Sequence, residues 1–254
     1  MSFLGTMRER ARERAREIVV RDPPYPPPRP FRESLVSGGF ALIAEVKYAT
    51  PRDGLLGVDE SPQELAREFE RLGARALSCL TEPAFFAGRP EHLAMARRGA
   101  SLPVMMKDFV VDIRQILLGR SFGADAVLLI TEMLDRAELE DLLAFARSLG
   151  MECLVEVHGH RGLEKALAAG AGIIGVNCRD LDTLKVFPGR HEEMAPALPG
   201  GVVKVAESGI ESGERLGCIA RAGYDAALVG RAFAQKGLRE EIFRVGQDLR
   251  HNAA

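Results

Sequence analysis

Charged and amide residues interrupt short apolar runs at a recurrent place, the end of the run. Ile43-Ala44 leads into Glu45 and Lys47, Val104-Met105-Met106 into Lys107, and Leu154-Val155 into Glu156. Val176 is followed by Asn177 and Arg179, and Val205-Ala206 by Glu207-Ser208-Gly209. Residues two apart on a strand share a face, so Glu45 goes with Lys47 and Asn177 with Arg179. Three carboxylates, two lysines, an amide and a guanidinium gathered at one mouth would suit general acid and base chemistry on an anionic substrate. They would also serve as ion pairs closing one end of a fold. Burying so many charges is costly, however, without mutual pairing or a ligand.

Lysine usage sharpens the first reading. The chain has six lysines against 28 arginines, yet Lys47 and Lys107 keep the cationic side chain whose proton can be released near neutral pH once it is desolvated. Lys204 lies mid-strand on the face opposite Glu207 and is expected to pack against helices instead. Two glycine turns extend the set: Ser208-Gly209-Ile210 and Gly230-Arg231 follow the last two apolar runs. Backbone N–H groups at such turns can receive a phosphate, and glycine permits close approach.

The elements that must position these residues follow from the pattern. Eight strands are predicted, over 41–46, 75–80, 103–107, 125–130, 152–157, 172–176, 202–207 and 225–229. Segments with apolar residues every three or four positions lie between them, such as 61–72, 112–122, 135–149 and 212–222. Several end in a glycine just before the next strand: Gly73, Gly123, Gly170 and Gly223. Strand starts recur about every 26 residues, one-eighth of a closed (βα)8 TIM barrel. An open doubly wound sheet is the rival, but no Gly-x-Gly-x-x-Gly turn follows the first strand. In the barrel, reactive groups sit at the C-terminal ends of strands, where the charged residues above fall.

Residues 1–40 are of another kind, an N-terminal helical extension. An Arg/Glu helix is predicted over 6–20, followed by a stiff proline-rich connector over 22–30. Glu9, Glu13 and Glu17 interleave with the arginines and point to a solvated helix face rather than a nucleic-acid contact. The extension is expected to pack on a barrel of residues 41–254 as one structural domain, over the mouth, where it would help retain substrate.

Composition narrows the functional classes. A net charge of −2 over 254 residues lacks the basic footprint of nucleic-acid binding, no apolar run suffices to span a bilayer, and the N-terminus lacks a signal peptide's apolar core. A cytoplasmic protein is expected. Cys79, Cys153, Cys178 and Cys218 lie far apart without metal-ligand spacing and are read as free thiols. His158-x-His160 has no third ligand nearby, so no metal is expected. His92, His191 and His251 sit in polar segments and read as surface residues. A monomer is expected, with a weak homo-oligomer as the alternative.

Together Ile43-Ala-Glu-Val-Lys47 with Thr50-Pro51, Leu80-Thr-Glu-Pro-Ala-Phe-Phe-Ala-Gly88, Pro103-Val-Met-Met-Lys-Asp-Phe109, Asp125-Ala-Val-Leu-Leu-Ile130, Leu154-Val-Glu-Val157, Gly175-Val-Asn-Cys-Arg-Asp-Leu181 and Val205-Ala-Glu-Ser-Gly-Ile210 resemble indole-3-glycerol phosphate synthase over essentially the whole chain. The resemblance implies a cofactor-free carboxy-lyase of tryptophan biosynthesis. Such an enzyme cyclises 1-(2-carboxyphenylamino)-1-deoxyribulose 5-phosphate to an indole with loss of carbon dioxide and water.

Carried over by motif, Lys107 is the general acid, Glu156 assists the dehydration, and Glu45 sets the protonation of the lysines. Lys47 binds anionic groups or acts as a second acid. Asn177 and Glu207 orient hydroxyls and catalytic side chains, Thr50 keeps a hydroxyl near the substrate, and Arg179 holds the carboxylate. Ser208, Gly209, Gly230 and the backbone of Arg231 receive the phosphate, and Phe86, Phe109, Leu128 and Ile130 form a slot for the aromatic ring.

Two departures stand out: Thr50-Pro51-Arg52 replaces the usual Ser-Pro-Ser, and Arg231 replaces Ser or Glu. If Arg231 folds inward it adds a phosphate contact; if it points out, only its N–H matters. A phosphoribosylanthranilate isomerase resembles the chain in fold and phosphate site, but that family lacks the extension and uses Cys and Asp. A barrel that only binds a phosphorylated metabolite is the non-catalytic alternative.

Overall fold

The apolar run Ala41–Val46 is buried along its whole length, as expected of a parallel strand covered on both faces. Seven further strands repeat this and follow it around in chain order. In the computed structural model, which describes residues 2–20 and 25–251 without the His251 side chain, they are β1 (Ala41–Val46), β2 (Ala76–Leu80), β3 (Val104–Lys107), β4 (Ala126–Ile130), β5 (Glu152–Val157), β6 (Ile173–Asn177), β7 (Val203–Glu207) and β8 (Ala226–Val229). Each pairs in parallel with its neighbours. The register Ala41↔Ala226 through Ala44↔Val229 joins β8 to β1 and closes the barrel.

Several predicted strands begin one residue too early, because the residue before the strand has another task. Asp125 and Asp225 stand there, and their carboxylates accept the backbone N–H of Val104 and of Lys204 on the neighbouring strands, both at 2.8 Å. The bottom rim is thus tied by side chains as well as by backbone, since the Asp125 N–H donates to Val104 O at 2.8 Å and the Asp225 N–H to Lys204 O at 2.9 Å. Lys204 is the half-buried member of β7.

The predicted helices form with the caps that their sequences announce. Ser61 and Glu64 make a reciprocal capping box at the start of Pro62–Leu72, and Gly73 ends that helix at φ +98°. Asp135 and Glu138 do the same for Arg136–Ser148. A small hairpin, Ala49–Thr50 with Gly54–Leu55, follows β1 where only a loop was expected.

The extension begins with α1 (Phe3–Glu17), earlier than the predicted Thr6–Val20, because Ser2 caps it by accepting from the N–H of Gly5. It also ends earlier, since Ile18 turns extended and Val19 is 87% exposed, with nothing to pack on. Met7, Ala11 and Ala15 form its buried stripe. Residues 22–24 of the predicted connector lie outside the described residues. Its remainder runs along the barrel, where Arg120 and Arg97 donate to the carbonyls of Pro26 and Pro27 at 2.5 and 2.7 Å. A short helix, α2 (Phe31–Val36), then seats the fully buried Phe31 and Leu35.

Candidate active site

The C-terminal ends of the strands surround a cavity of about 900 Å3, counting its open mouth. Lys107, the last residue of β3, reaches across it to three carboxylates. Its Nζ donates to Glu207 Oε2 at 2.7 Å and stands 3.8 Å from Glu156 Oε2 and 3.9 Å from Glu45 Oε2. Lys47 Nζ donates to the other oxygen of Glu45 at 2.5 Å. Glycines make this convergence possible. A Cβ on Gly175 would lie 2.0 Å from Glu207 Oε1, and one on Gly230 2.1 Å from Glu45 Oε1. Both positions are closed to any other residue unless a carboxylate moves.

Three carboxylates face two ammonium groups here, and the imbalance is visible in the proton affinities. Burial disfavours the charge of Glu45, but Lys47 and Lys107 outweigh it and hold its pKa below the ordinary value. Burial acts in the same direction on Glu207, and with Glu156 alongside it prevails over Lys107, pushing Glu207 up to about 7. Burial also opposes the charge of Lys107, yet Glu207, Glu45 and Glu156 together raise its pKa above that of a free lysine. The expectation that desolvation would loosen the lysine proton is therefore reversed in the resting site. Lys107 is a firmly charged acid, and the proton poised near neutrality belongs to Glu207.

At the β7 and β8 ends, Ser208 takes φ +66° and Gly209 φ +65°. A non-glycine residue held in the left-handed region is a strained conformation of the kind kept at functional turns. Together with Gly230 they bring backbone to the cavity wall. Asn177 Oδ1 accepts from the N–H of Arg179 at 2.9 Å, and the Arg179 guanidinium donates to Leu184 O at 3.0 Å while lining the cavity. Arg231 lines the rim and reaches outward, 3.4 Å from both Asp53 and Glu211.

The opposite wall is apolar: Phe86, Phe109, Leu128 and Ile130, extended by Leu80 and Leu181. Phe86 and Phe109 are 6.4 Å apart between ring centres. Helix α1 lies beside this wall. Phe3 meets Phe85 and Phe109 edge-on at 5.3 and 6.3 Å, Arg14 pairs with Asp108 at 2.6 Å, and the Leu4 N–H donates to Asp182 at 3.0 Å.

Every site residue predicted from the sequence lines the cavity except Thr50. Its hydroxyl instead accepts from the N–H of Asp53 at 2.9 Å and holds the hairpin turn. Glu82 and Asp108 line the cavity and were not singled out, though each lies within a quoted motif; Glu82 caps the short helical turn Pro83–Phe86. His191 and His92, read as surface residues, are buried. His191 bonds to the carbonyl of Glu207 at 3.1 Å, and burial drives its pKa down to about 4. His92 packs against Tyr48. Polar neighbours in sequence said nothing of the strands folded over them. Cys79, Cys153 and Cys178 are buried free thiols and Cys218 a half-buried one.

Fold and site together define a (βα)8 barrel with a lysine–carboxylate cluster in its mouth. Similarity to solved structures under 20% identity carries the fold alone: a thiamine phosphate pyrophosphorylase from Pyrococcus furiosus superposes with a TM-score of 0.60 at 16% identity, over 85% of this chain and 98% of that one. Sequence comparison goes further. The chain belongs to the indole-3-glycerol phosphate synthase family, whose sequence model matches residues 7–244. It is 46% identical over 224 residues to the indole-3-glycerol phosphate synthase of Micrococcus luteus, covering 86% of this chain and 84% of that protein. It is also 46% identical over 212 residues to indole-3-glycerol phosphate synthase 2 of Streptomyces coelicolor, covering 84% and 82%.

Proposed function

We propose that the chain converts 1-(2-carboxyphenylamino)-1-deoxyribulose 5-phosphate to indole-3-glycerol phosphate, carbon dioxide and water. The observation that carries this reading is the position of Lys107, charged and ringed by carboxylates, between an apolar wall and two strained or glycine-bearing turns. The aromatic ring enters the slot of Phe86, Phe109, Leu128 and Ile130, and Arg179 meets its carboxylate. Backbone N–H groups at Ser208, Gly209, Gly230 and Arg231 receive the phosphate. Held at both ends, the substrate brings its ring carbon against its own carbonyl, which converts a flexible chain into a near-attack geometry.

As the ring carbon bonds to the carbonyl carbon, Lys107 Nζ gives its proton to the oxygen. The ring carboxylate leaves as carbon dioxide, its bonding electrons restoring aromaticity. The new hydroxyl then leaves as water, with Lys47 or Lys107 as acid and Glu156 taking the proton from the adjacent carbon. Glu45 pairs with Lys47 and helps keep Lys107 charged, and Asn177 and Glu207 orient hydroxyls and the Lys107 ammonium. Thr50 serves the hairpin and is left out of this set.

One chain supplies every residue named, which supports a monomer as the working unit. Free thiols suit a reducing cytoplasm, and among the described residues no helix is long and apolar enough to cross a membrane. Indole formation from the carboxyphenylamino substrate, followed by fluorescence, tests the proposal. Turnover by the native chain that falls by about 10²-fold or more in Lys107→Ala is the expected result. Tight binding without turnover by the native chain would return the protein to a purely binding role.

A further inference from the structure

The cyclisation proposed above consumes a proton. Its substrate brings a carboxylate and yields neutral carbon dioxide and water, so each turnover draws one proton from solvent into a site whose carboxylates are almost wholly buried, Glu156 at 2% and Glu207 at 1% exposure. Glu156 Oε1 has no hydrogen-bond partner, and neither has His158 Nε2, also buried and 3.4 Å away. On its far side His158 Nδ1 stands 2.9 Å from Glu132 Oε2, and the His158 backbone N–H donates to Glu132 Oε1 at 3.3 Å. The Glu132 side chain is 30% exposed. The row therefore leads from the buried cluster to solvent.

The surroundings hold this row in place. Thr131 Oγ1 donates to Glu132 Oε2 at 2.9 Å. Lys165 fixes the loop by donating to the carbonyls of Thr131 and Leu134, each at 2.7 Å. Gly162 leaves room for it, since a Cβ there would lie 2.7 Å from the Thr131 hydroxyl and 3.0 Å from Glu132 Oε1. The charged groups acting on His158 are Glu132, Glu156 and Glu207; burial lowers its pKa, but these carboxylates outweigh burial and raise it.

We infer that Glu132 and His158 form the path by which a solvent proton reaches Glu156 and, through it, Lys107. The inference rests on the proposed cyclisation. The imidazolium, with Nδ1–H held on Glu132, gives its Nε2 proton to Glu156 Oε1; imidazolium and carboxylate become imidazole and carboxylic acid. Rotation of the carboxylic acid group carries that proton toward Lys107 Nζ, which lies 3.8 Å from Glu156 Oε2, and restores the one that the lysine spent. The ring then turns over and brings its bare nitrogen to Glu132, where a solvent proton recharges it to imidazolium. The 3.4 and 3.8 Å gaps close by small rotations, as catalytic hydrogen bonds commonly do when substrate binds. His158 acts through Glu156 and is a positioning residue, not a group that touches substrate.

The test compares His158→Gln and Glu132→Gln with the native chain in the indole-forming assay, with and without added imidazole, after circular dichroism melts of all three. His158→Gln is expected to lower kcat by roughly tenfold, less than loss of a direct acid, with KM little changed. Imidazole should restore part of that rate, and Glu132→Gln should show a smaller fall of the same kind. Folded variants with native kcat, or a loss that imidazole leaves untouched, would overturn the path. Should His158→Gln fail to fold, native kcat in Glu132→Gln overturns it alone. A native chain without turnover would instead overturn the cyclisation on which the path depends.

Discussion

Glu207 is the residue whose proton responds to conditions near neutrality. Folded, it keeps its proton up to about pH 7, against 4.5 for an ordinary glutamate. Between those values the folded state binds more protons than the unfolded one, so this group's contribution to stability declines as pH rises through the window. His191 has the opposite sign. Its pKa is lowered from 6.5 to about 4, so stability is lost as pH falls from 6.5 toward 4. The two oppose each other where the windows overlap, and a variant separates them. Thermal melts of native chain and Glu207→Gln at pH 5 and pH 8 should show the native Tm dropping more between the two values. A second prediction concerns Gly175. Gly175→Ala places a methyl group where Glu207 Oε1 now lies and should displace that carboxylate from Lys107. Turnover should fall sharply while the melt stays cooperative, a pairing that the indole assay and a thermal scan together would show.

Among the elements, α1 joins fold to function. Its buried stripe and the Arg14–Asp108 pair hold it beside the apolar wall, and Phe3 touches Phe109 of the proposed ring slot. Removing residues 2–20 should raise KM more than it lowers kcat; an unchanged KM would show that α1 plays no part in retaining substrate. A longer cut to residue 38 asks a different question. It also strips Phe31 and Leu35 from α2, and truncating one buried Phe alone costs about 3–5 kcal/mol. Urea titration should therefore show the long deletion strongly destabilised and the short one far less so.

For the molecule as a whole, the last helix, Lys236–His251, packs an aromatic cluster against the helix after β1. Phe243 stacks on Phe233 at 4.7 Å, and both face Phe69 of the helix after β1. Arg239 lies buried among them at 2% exposure, donating to Glu68 and to the carbonyl of Phe233, each at 2.7 Å. Arg239→Ala would leave Glu68 without its partner and should cost about 3–5 kcal/mol in urea unfolding. Arg239 does not itself line the cavity, so this change should alter stability more than the KM of folded enzyme.

What the sequence determined by itself was local. Strand period, helix caps such as Ser61 with Glu64, the glycine before several of the strands and the charged or amide residues near the ends of many are properties of neighbours along the chain. They were enough to count eight βα units and to name Glu45, Lys47, Lys107, Glu156, Asn177 and Glu207 as residues of one mouth. Tertiary structure alone decided what those residues do to one another. Lys107 and Glu207 are 100 positions apart yet bond at 2.7 Å, and that closeness, with Glu45 and Glu156 nearby, raises the lysine's pKa against burial. The same holds for His191 buried behind Glu207, for Thr50 turned to its hairpin, and for Arg231 directed at Asp53. The physical reason is one: burial and charge act through space, and distances across a closed barrel are set by all eight strands together.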